Sequence, residues 1–190
     1  MGNLKLNIEK NYTLWNNVEG GEEWSKHFET TYNLWDVIIL PKIKPYIKGD
    51  VLEIAPGHGR ITRKLLESNI NLDILDLSNT CIERCRKRFG GAISNYYVGN
   101  GSDLKDINSN SKDFIISFDS FVHMHEEVIN SYLSEINRVL KLGGYCWILH
   151  SNLNSFNEGH NLKVINQELI KWDAEGNPDW LHDGFSLIKK

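Results

Sequence analysis

The sequence predicts one doubly wound α/β domain built around a mostly parallel sheet of seven strands. Short apolar runs rich in Val, Ile and Leu alternate with longer helical patterns from about residue 49 onward. Strands joined through helices form right-handed crossovers, which give a parallel sheet covered on both faces. The last two apolar runs are joined by turn formers, which favours an antiparallel hairpin at the sheet edge.

The N-terminal part, residues 1–48, is expected to form an arm and a helical cap that precede the core, residues 49–190. Residues 1–20 are rich in Asn and Lys and predict an irregular arm. Apolar residues then recur near helical spacing, which predicts a cap helix with Pro41 and Pro45 as breakers. These apolar residues are Trp24, Phe28, Leu34, Trp35, Ile38 and Ile39.

The elements of the core are predicted one after another from the change in hydrophobic period. In chain order they are strand DVLEIA, helix GRITRKLLES, strand LDILDL, helix NTCIERCRKRF, strand NYYV, strand DFIISF, helix EEVINSYLSEINRVLK and strand YCWILH. Gly90-Gly91 and Gly143-Gly144 are expected to end the helices before them. The stretches LKVINQELIKW and GFSLIKK supply the strands of the terminal hairpin.

Composition excludes several classes of function. A formal net charge of −4 gives no general positive field for a nucleic-acid backbone. The three cysteines have no zinc-site spacing and are expected to be reduced thiols of a cytoplasmic protein. No apolar run approaches the roughly 20 residues that cross a bilayer, so membrane insertion is not expected.

The stretch VLEIAPGHGR, from Val51 to Arg60, predicts a ligand-binding turn at the end of the first strand. Ligands of open parallel sheets bind beyond the carboxyl ends of the strands, and Gly57 and Gly59 allow the backbone to approach one closely. A buried carboxylate at Glu53 would repel a pyrophosphate and suits a cationic ligand. Thr62 also replaces the third glycine of a dinucleotide-binding turn, which argues against an NAD-dependent oxidoreductase.

Another interpretation of Glu53 remains open at this point, in which it only pairs with Arg60 or Arg63. A second acid, Asp76, ends the second strand, where a carboxylate can accept both hydroxyls of a ribose. The site then requires a ribose and a positive charge together. S-adenosylmethionine carries an adenosine, a sulfonium and an ammonium, and satisfies both requirements.

From about residue 50 to 150 the chain resembles the class I S-adenosylmethionine-dependent methyltransferases, which have a Rossmann-like fold. The resemblance lies in VLEIAPGHGR, LDLS, YVGNGSDL and DFIISFDSFVHMHEE with INRVLKLGG, four motifs in the family's order. It implies these cofactor-binding residues: Glu53, Ala55, Pro56, Gly57, Gly59, Arg60, Asp76, Leu77, Ser78, Asn100, Gly101, Ser102, Ser117 and Phe118. S-adenosylhomocysteine is the product that such a reaction leaves.

The sequence departs from the family pattern at three places. Ala55-Pro56 replaces the commoner Gly-Cys, which stiffens the turn. Asn100 stands where the family usually has Asp to accept the adenine amino group, and its amide oxygen is expected to accept in the same way. Leu142 replaces the proline of the family's KPGG turn with little expected consequence.

A narrower resemblance concerns the acceptor. LEIAPGHGR, DLSNTCIERCRKRF, SFDSFVHM and HSN are similar to a bacterial subgroup associated with polysaccharide-biosynthesis gene sets. It implies methyl transfer to a small polar acceptor, an oxygen of a sugar or glycan substituent of a capsule or surface polysaccharide, such as a nucleotide-linked sugar. N-methylation of an amine or amino sugar, and a cofactor-binding partner protein without catalysis, are the alternatives.

Candidate catalytic groups follow the fourth and fifth strands. His123 is the first candidate for general base, with Asp119 as its orienter or as a ligand of a sugar hydroxyl. His150 is a candidate second base or acceptor ligand, and Asn152 follows it. A histidine at position 123 that packs below the pocket without moving protons is the alternative. No ligand spacing requires a metal, and none is expected.

Overall fold

The computed structural model describes residues 2–17, 34–151, 160–169 and 184–190. At its centre is a seven-stranded sheet with helices on both faces. The strands are β1 Gly49–Ile54, β2 Ile70–Asp76, β3 Asn95–Val98, β4 Lys112–Ser117, β5 Leu140–His150, β6 Lys163–Leu169 and β7 Gly184–Lys189. The helices are α1 Gly2–Asn17, α2 Leu40–Ile43, α3 Thr62–Leu65, α4 Asn79–Phe89 and α5 Glu126–Val139, with a π-helical turn, Leu34–Ile39, before α2.

The strand order is β3-β2-β1-β4-β5-β7-β6, in which β7 runs antiparallel to both of its neighbours. The other neighbouring strands are paired in parallel. This arrangement confirms the predicted doubly wound, mostly parallel sheet with a C-terminal antiparallel hairpin. The chain reverses its direction of travel across the sheet between β1 and β4, which is where open α/β sheets bind their ligands.

Alternation along β1 divides its side chains between two hydrophobic clusters. Val51 packs with the cap residues and α4 on one face, whereas Leu52 and Ile54 pack with α5 on the other. Because both faces are covered, the buried part of β1, from Val51 to Ile54, is apolar except at Glu53, which faces the first cluster's side. Glu53 lies opposite Ile74 of β2 and Ile116 of β4, in the middle of the sheet.

The predicted irregular arm is wrong, because residues 2–17 form helix α1. The predicted cap is helical from Leu34 to Ile43, whereas Trp24 and Phe28 lie outside the described residues. Pro41, predicted as a breaker, lies in the first turn of α2, where its missing N–H leaves no helical hydrogen bond unmade.

Two helices of the core are shorter in the structure than the sequence predicts. The helix after the glycine turn is only α3, a single turn. Helix α5 ends at Val139, and Gly143 and Gly144 lie inside β5 instead of capping the helix. The pairing of β4 with β5 shifts register there, so these residues form an irregularity at the start of β5.

Among the described helices, no stretch combines the length and the apolar character that a membrane span needs.

Candidate functional site

A cleft of about 850 Å³, part of it open to solvent, lies at the carboxyl ends of β1, β2 and β4. Many of the predicted site residues line it: Glu53, Ala55, Pro56, Gly57, Arg60, Asp76, Leu77, Gly101, Phe118 and Asp119. Other predicted residues do not: Gly59, Ser78, Asn100, Ser102, Ser117, His123 and His150.

Glu53 is 3% exposed and accepts a hydrogen bond from the Thr62 hydroxyl at 2.6 Å. Burial raises the pKa of Glu53 to about 8; the Thr62 bond opposes this shift, the Asp76 charge adds to it and the Arg60 charge opposes it. Arg60 forms its ion pair with Asp119, not with Glu53. The carboxyl group therefore needs an additional positive charge in the cleft to be fully ionised at neutral pH.

Asp76 is 5% exposed and holds the backbone of the cleft in place. Its two carboxylate oxygens accept the Gly57 N–H at 3.1 Å and the Ser78 N–H at 2.8 Å. Burial raises the pKa of Asp76 to about 6, and these N–H donors oppose the shift. Each oxygen retains a second lone pair, so the predicted ribose contact fits this geometry.

The turn after β1 starts with two residues in the left-handed region, Ala55 and Gly57, each with φ of 58°. Ala55 is held there by its N–H, which donates to the Leu75 carbonyl at 2.7 Å. For a residue with a Cβ this conformation costs about 1 to 2 kcal/mol, a strain that is typical of ligand-binding turns. Ala55 and Gly57 both line the cleft.

Gly59 is placed differently from the prediction. Its φ is +89°, and a Cβ added here would lie 2.3 Å from Cε2 of Phe89 in α4. The absence of a side chain at Gly59 therefore allows α4 to pack against the turn. It does not serve to bring a ligand close to the backbone. The same helix contact brings the Cys85 thiol to the Gly57 carbonyl at 3.4 Å.

Gly59→Ala is expected to lower the free energy of unfolding by about 2 to 4 kcal/mol, because backbone strain and overpacking against Phe89 add together. The matched control is Gly143→Ala, at φ +81° with no atom within 4 Å of the added Cβ. It should cost about 1 to 2 kcal/mol, the strain alone. Urea denaturation measures both, and Phe89→Leu should recover part of the loss at position 59. Equal losses for the two glycines would contradict the packing role.

Two predicted serines serve the scaffold. Ser78 caps α4, since its hydroxyl accepts the Cys81 N–H at 3.2 Å, and it is 1% exposed. Ser117 donates its hydroxyl to the Ile54 carbonyl at 2.9 Å and joins the ends of β4 and β1. Both hydroxyls thus hold the backbone next to the cleft.

Asn100 and Ser102 form a local turn after β3. The amide oxygen of Asn100 accepts the N–H and hydroxyl of Ser102, at 2.9 and 3.1 Å, and the Asp103 N–H at 3.0 Å. Its amide nitrogen donates to the Asp103 carboxylate at 2.7 Å. The oxygen that was expected to accept the adenine amino group is thus engaged within its own loop.

A cation and an anion meet at the edge of the cleft beyond β4. The Arg60 guanidinium lies 2.9 Å from the Asp119 carboxylate and 5.1 Å above the Phe118 ring. Asp119 adopts a φ of 63°, another non-glycine residue in the left-handed region. Arg60 is the one cationic side chain among the described residues of the cleft wall, and Asp119 already balances its charge.

His123 lies at the surface of the loop after β4, outside the cleft wall. Neighbouring protein atoms exclude part of the water from its ring and lower the pKa of His123, and the Asp119 charge opposes this effect. His150 is fully buried in the sheet, where its ring nitrogen lies 2.8 Å from the Ser186 hydroxyl. The His150 ring therefore does not reach the cleft, where a base would have to act. Asn152 lies outside the described residues.

Helix α1 lines one side of the cleft through Asn7, Ile8 and Asn11, residues that the sequence analysis did not single out. Asn7 and Asn11 both donate to the His123 carbonyl at 3.2 Å, and Asn7 accepts the His125 N–H at 3.4 Å. Ile8 packs on the opposite side, next to Gly101. Asn7 and Asn11 are four residues apart and share a helix face, a signal that helical spacing could have revealed.

The rest of the cleft wall is mostly apolar and includes the α5 residues Val128 and Tyr132. In the described part of the chain, no three His, Cys, Asp or Glu side chains are grouped as a metal site requires. The buried carboxyl groups of Glu53 and Asp76 and the left-handed turn between them fit a cofactor that carries a ribose and a positive charge.

A model of the family described as "Methyltransferase domain" matches residues 51–144, just under half of the chain. None of the curated proteins matches the sequence. Solved structures resemble the fold at low identity. A SAM-dependent methyltransferase from Leishmania major has a TM-score of 0.74 and 15% identity, over 96% of this chain and 83% of the other.

Two further structures show the same fold. A putative sarcosine dimethylglycine methyltransferase from Galdieria sulphuraria has a TM-score of 0.64 and 16% identity, over 78% of this chain and 81% of that one. Phosphoethanolamine N-methyltransferase 1 from Haemonchus contortus was solved in complex with phosphoethanolamine and S-adenosylhomocysteine. It has a TM-score of 0.63 and 13% identity, over 98% of this chain and 49% of that one. Residues 51–144 thus match a methyltransferase domain, and these comparisons support S-adenosylmethionine as the cofactor that the cleft binds.

Proposed function

We propose that this chain transfers a methyl group from S-adenosylmethionine to an oxygen of a small polar acceptor, a sugar or glycan substituent of a surface polysaccharide. The observation that supports methyl transfer is the charge of the cleft. Glu53, Asp76 and Asp119 all line it, and among the described residues only Arg60 supplies a compensating charge. Such a wall favours a cationic cofactor and disfavours a diphosphate.

The cofactor supplies an electrophilic methyl group on positive sulfur, and the protein aligns the acceptor with it. Alignment of two reactants in one site contributes about 7 to 11 kcal/mol toward lowering a barrier. Ala55, Pro56 and Gly57 form the wall beside β1, and Asp76 fixes this turn through the Gly57 N–H. Helix α1, as part of the cap formed by residues 1–48, excludes water from the side that Asn7 and Asn11 close.

In this proposal Asp119 orients an acceptor hydroxyl, and His123 takes its proton. Asp119 lines the cleft, and the His123 ring, just outside the cleft wall, lies within electrostatic reach of Asp119. A lowered pKa keeps the His123 ring neutral near pH 7, the form that a base requires. His150 is left out of the mechanism because its ring lies inside the sheet.

The acid-rich wall also favours a second candidate, N-methylation of an amine or amino sugar. Asp119 would bind a protonated amine, and two of the structural neighbours bear the names of amine methyltransferases. A protein that binds the cofactor without catalysis is the remaining candidate. It would bind S-adenosylmethionine and form no product with any acceptor.

His123→Gln separates oxygen from nitrogen acceptors. With an oxygen acceptor, loss of the base should lower kcat by about 10²- to 10⁴-fold, whereas a neutral amine attacks without such a base and should lose less than about tenfold. Initial rates of radiolabelled methyl transfer measure the effect. His125→Gln, an exposed neighbour in the same loop, is the control. An oxygen methylation rate that His123→Gln leaves unchanged would remove His123 from the mechanism.

The acceptor itself is identified by mass spectrometry of glycans and nucleotide-linked sugars from cells with and without the protein. We expect one species to lose the mass of a methylene when the protein is absent. If every such species is unchanged, the glycan assignment is wrong, while binding of the cofactor is unaffected by that result.

A further inference from the structure

Tyr132 of α5 is a cleft residue with a buried ring and an unsatisfied hydroxyl. The residue is 2% exposed, and its ring lies 5.4 Å from that of Phe121 at an angle of 53°. It lines the cleft beside Val128, one helical turn earlier. Packing against Phe121 and the helix fixes the ring, so its hydroxyl has a defined position.

The hydroxyl of Tyr132 has no hydrogen-bond partner within the part of the chain that the structure describes, in contrast to that of Tyr96, which donates to the Gly90 carbonyl at 2.7 Å. The oxygen is nevertheless not sealed off from solvent, unlike the buried unpaired Nε1 of Trp147. Buried tyrosine hydroxyls normally find a partner. A group fixed in the cleft wall with free hydrogen-bonding capacity is therefore available to a ligand.

The surroundings of the hydroxyl indicate which part of a ligand it would meet. After burial, the charges of Asp76 and Asp103 both raise the pKa of Tyr132, so the hydroxyl lies within electrostatic reach of each. Asp76 ends β2 and Asp103 belongs to the loop after β3. A neutral phenol near these two carboxylates is a hydrogen-bond donor throughout the physiological pH range.

We propose that the Tyr132 hydroxyl donates a hydrogen bond to the adenosine part of S-adenosylmethionine. This inference rests on the proposed function only through the cofactor, not through the acceptor. The carboxylate of Asp76 suits the ribose, and Tyr132 lines the same cleft from α5 within electrostatic reach of that carboxylate. The amide oxygen of Asn100 already accepts hydrogen bonds within its own loop, so the loop after β3 does not offer the side-chain contact with adenine that was expected. A hydrogen-bond donor from α5 can supply a contact with the adenosine instead.

Tyr132→Phe tests this contact by removing a single oxygen atom. Calorimetry gives the Kd for S-adenosylhomocysteine, and competition gives the Kd for 5′-methylthioadenosine, which lacks the amino-acid part. Both dissociation constants should rise about 5- to 20-fold, the effect of one lost hydrogen bond. Tyr145→Phe is the control, since Tyr145 pairs with Phe114 near the opposite end of the parallel strands.

The outcomes separate this inference from the proposed function. If wild-type protein fails to bind S-adenosylhomocysteine, the cofactor itself is wrong. If it binds and Tyr132→Phe binds equally well, only the Tyr132 contact is overturned. A loss with S-adenosylhomocysteine but not with 5′-methylthioadenosine also overturns it, because the contact then lies on the amino-acid part. Thermal unfolding of the ligand-free variant should match the wild type, since the removed hydroxyl has no described protein partner.

Discussion

Glu53→Gln is expected to raise the free energy of unfolding of the ligand-free protein by about 4 kcal/mol at pH 8 and by only about 1 kcal/mol at pH 5. The carboxyl group is 3% exposed, and burial raises its pKa from 4.5 to about 8. An amide of the same shape has no charged form to desolvate. It can still accept the Thr62 hydroxyl through its oxygen.

The sign of this pH dependence follows from proton counts. Between about pH 4.5 and pH 8 the folded protein holds a proton on Glu53 that the unfolded chain has released. Stability therefore falls as pH rises through this window, and Gln removes that slope. Urea denaturation at several pH values measures it, with the exposed Glu83→Gln as control. Parallel stability curves for wild type and Glu53→Gln would show that Glu53 is ionised in the folded protein without any ligand.

The same substitution should weaken the preference for a cation. Binding of a positive cofactor favours the carboxylate form of Glu53, so wild-type protein should release a proton below about pH 8. Calorimetry in buffers with different ionisation enthalpies detects this release. Glu53→Gln should abolish it and bind the sulfonium cofactor about tenfold more weakly relative to the neutral thioether product. If Glu53→Gln is more stable than the wild type and no longer prefers the sulfonium cofactor over the thioether product, the buried acid serves binding and not stability.

The sheet could be predicted from the sequence because its signals are local and repeated. The strand NYYV is observed as β3, from Asn95 to Val98, and the helix NTCIERCRKRF as α4, from Asn79 to Phe89. The acids at the ends of β1 and β2 were placed correctly in the cleft because parallel strands bring their carboxyl ends to one edge. The terminal hairpin was predicted from the turn formers between its two strands, and the structure confirms it.

Features that depend on tertiary contact were not predicted. Helix α1 has little hydrophobic periodicity, and its described contacts with the core include amide hydrogen bonds to the backbone of His123 and His125 and the packing of Ile8. Gly59 looked like a ligand-facing glycine because the sequence does not show that Phe89 would cover it. The Ser78 cap, in contrast, could have been predicted, since serine before a helix is a strong capping signal.

Asp76→Asn is expected to weaken the binding of S-adenosylhomocysteine by about 100- to 1,000-fold, because two hydrogen bonds from ribose hydroxyls to a charged acceptor are lost. The stability of the ligand-free protein should change much less. An amide nitrogen must face either the Gly57 or the Ser78 N–H, and the unpaired donor costs about 1 to 3 kcal/mol. Removal of a carboxyl group whose pKa burial has raised to about 6 returns a similar amount above that pH.

Calorimetry with S-adenosylhomocysteine tests the loss of binding, and urea denaturation at pH 8 tests the small change in stability. The exposed Asp106→Asn is the control for both. Binding within threefold of the wild type would place the ribose elsewhere, whereas a large loss of stability would show that Asp76 mainly holds the turn. Because the Asp76 charge raises the pKa of Glu53, Asp76→Asn should also move the pH window of Glu53 downward. The two substitutions should therefore be non-additive in stability, since each removes part of the repulsion that the other charge experiences.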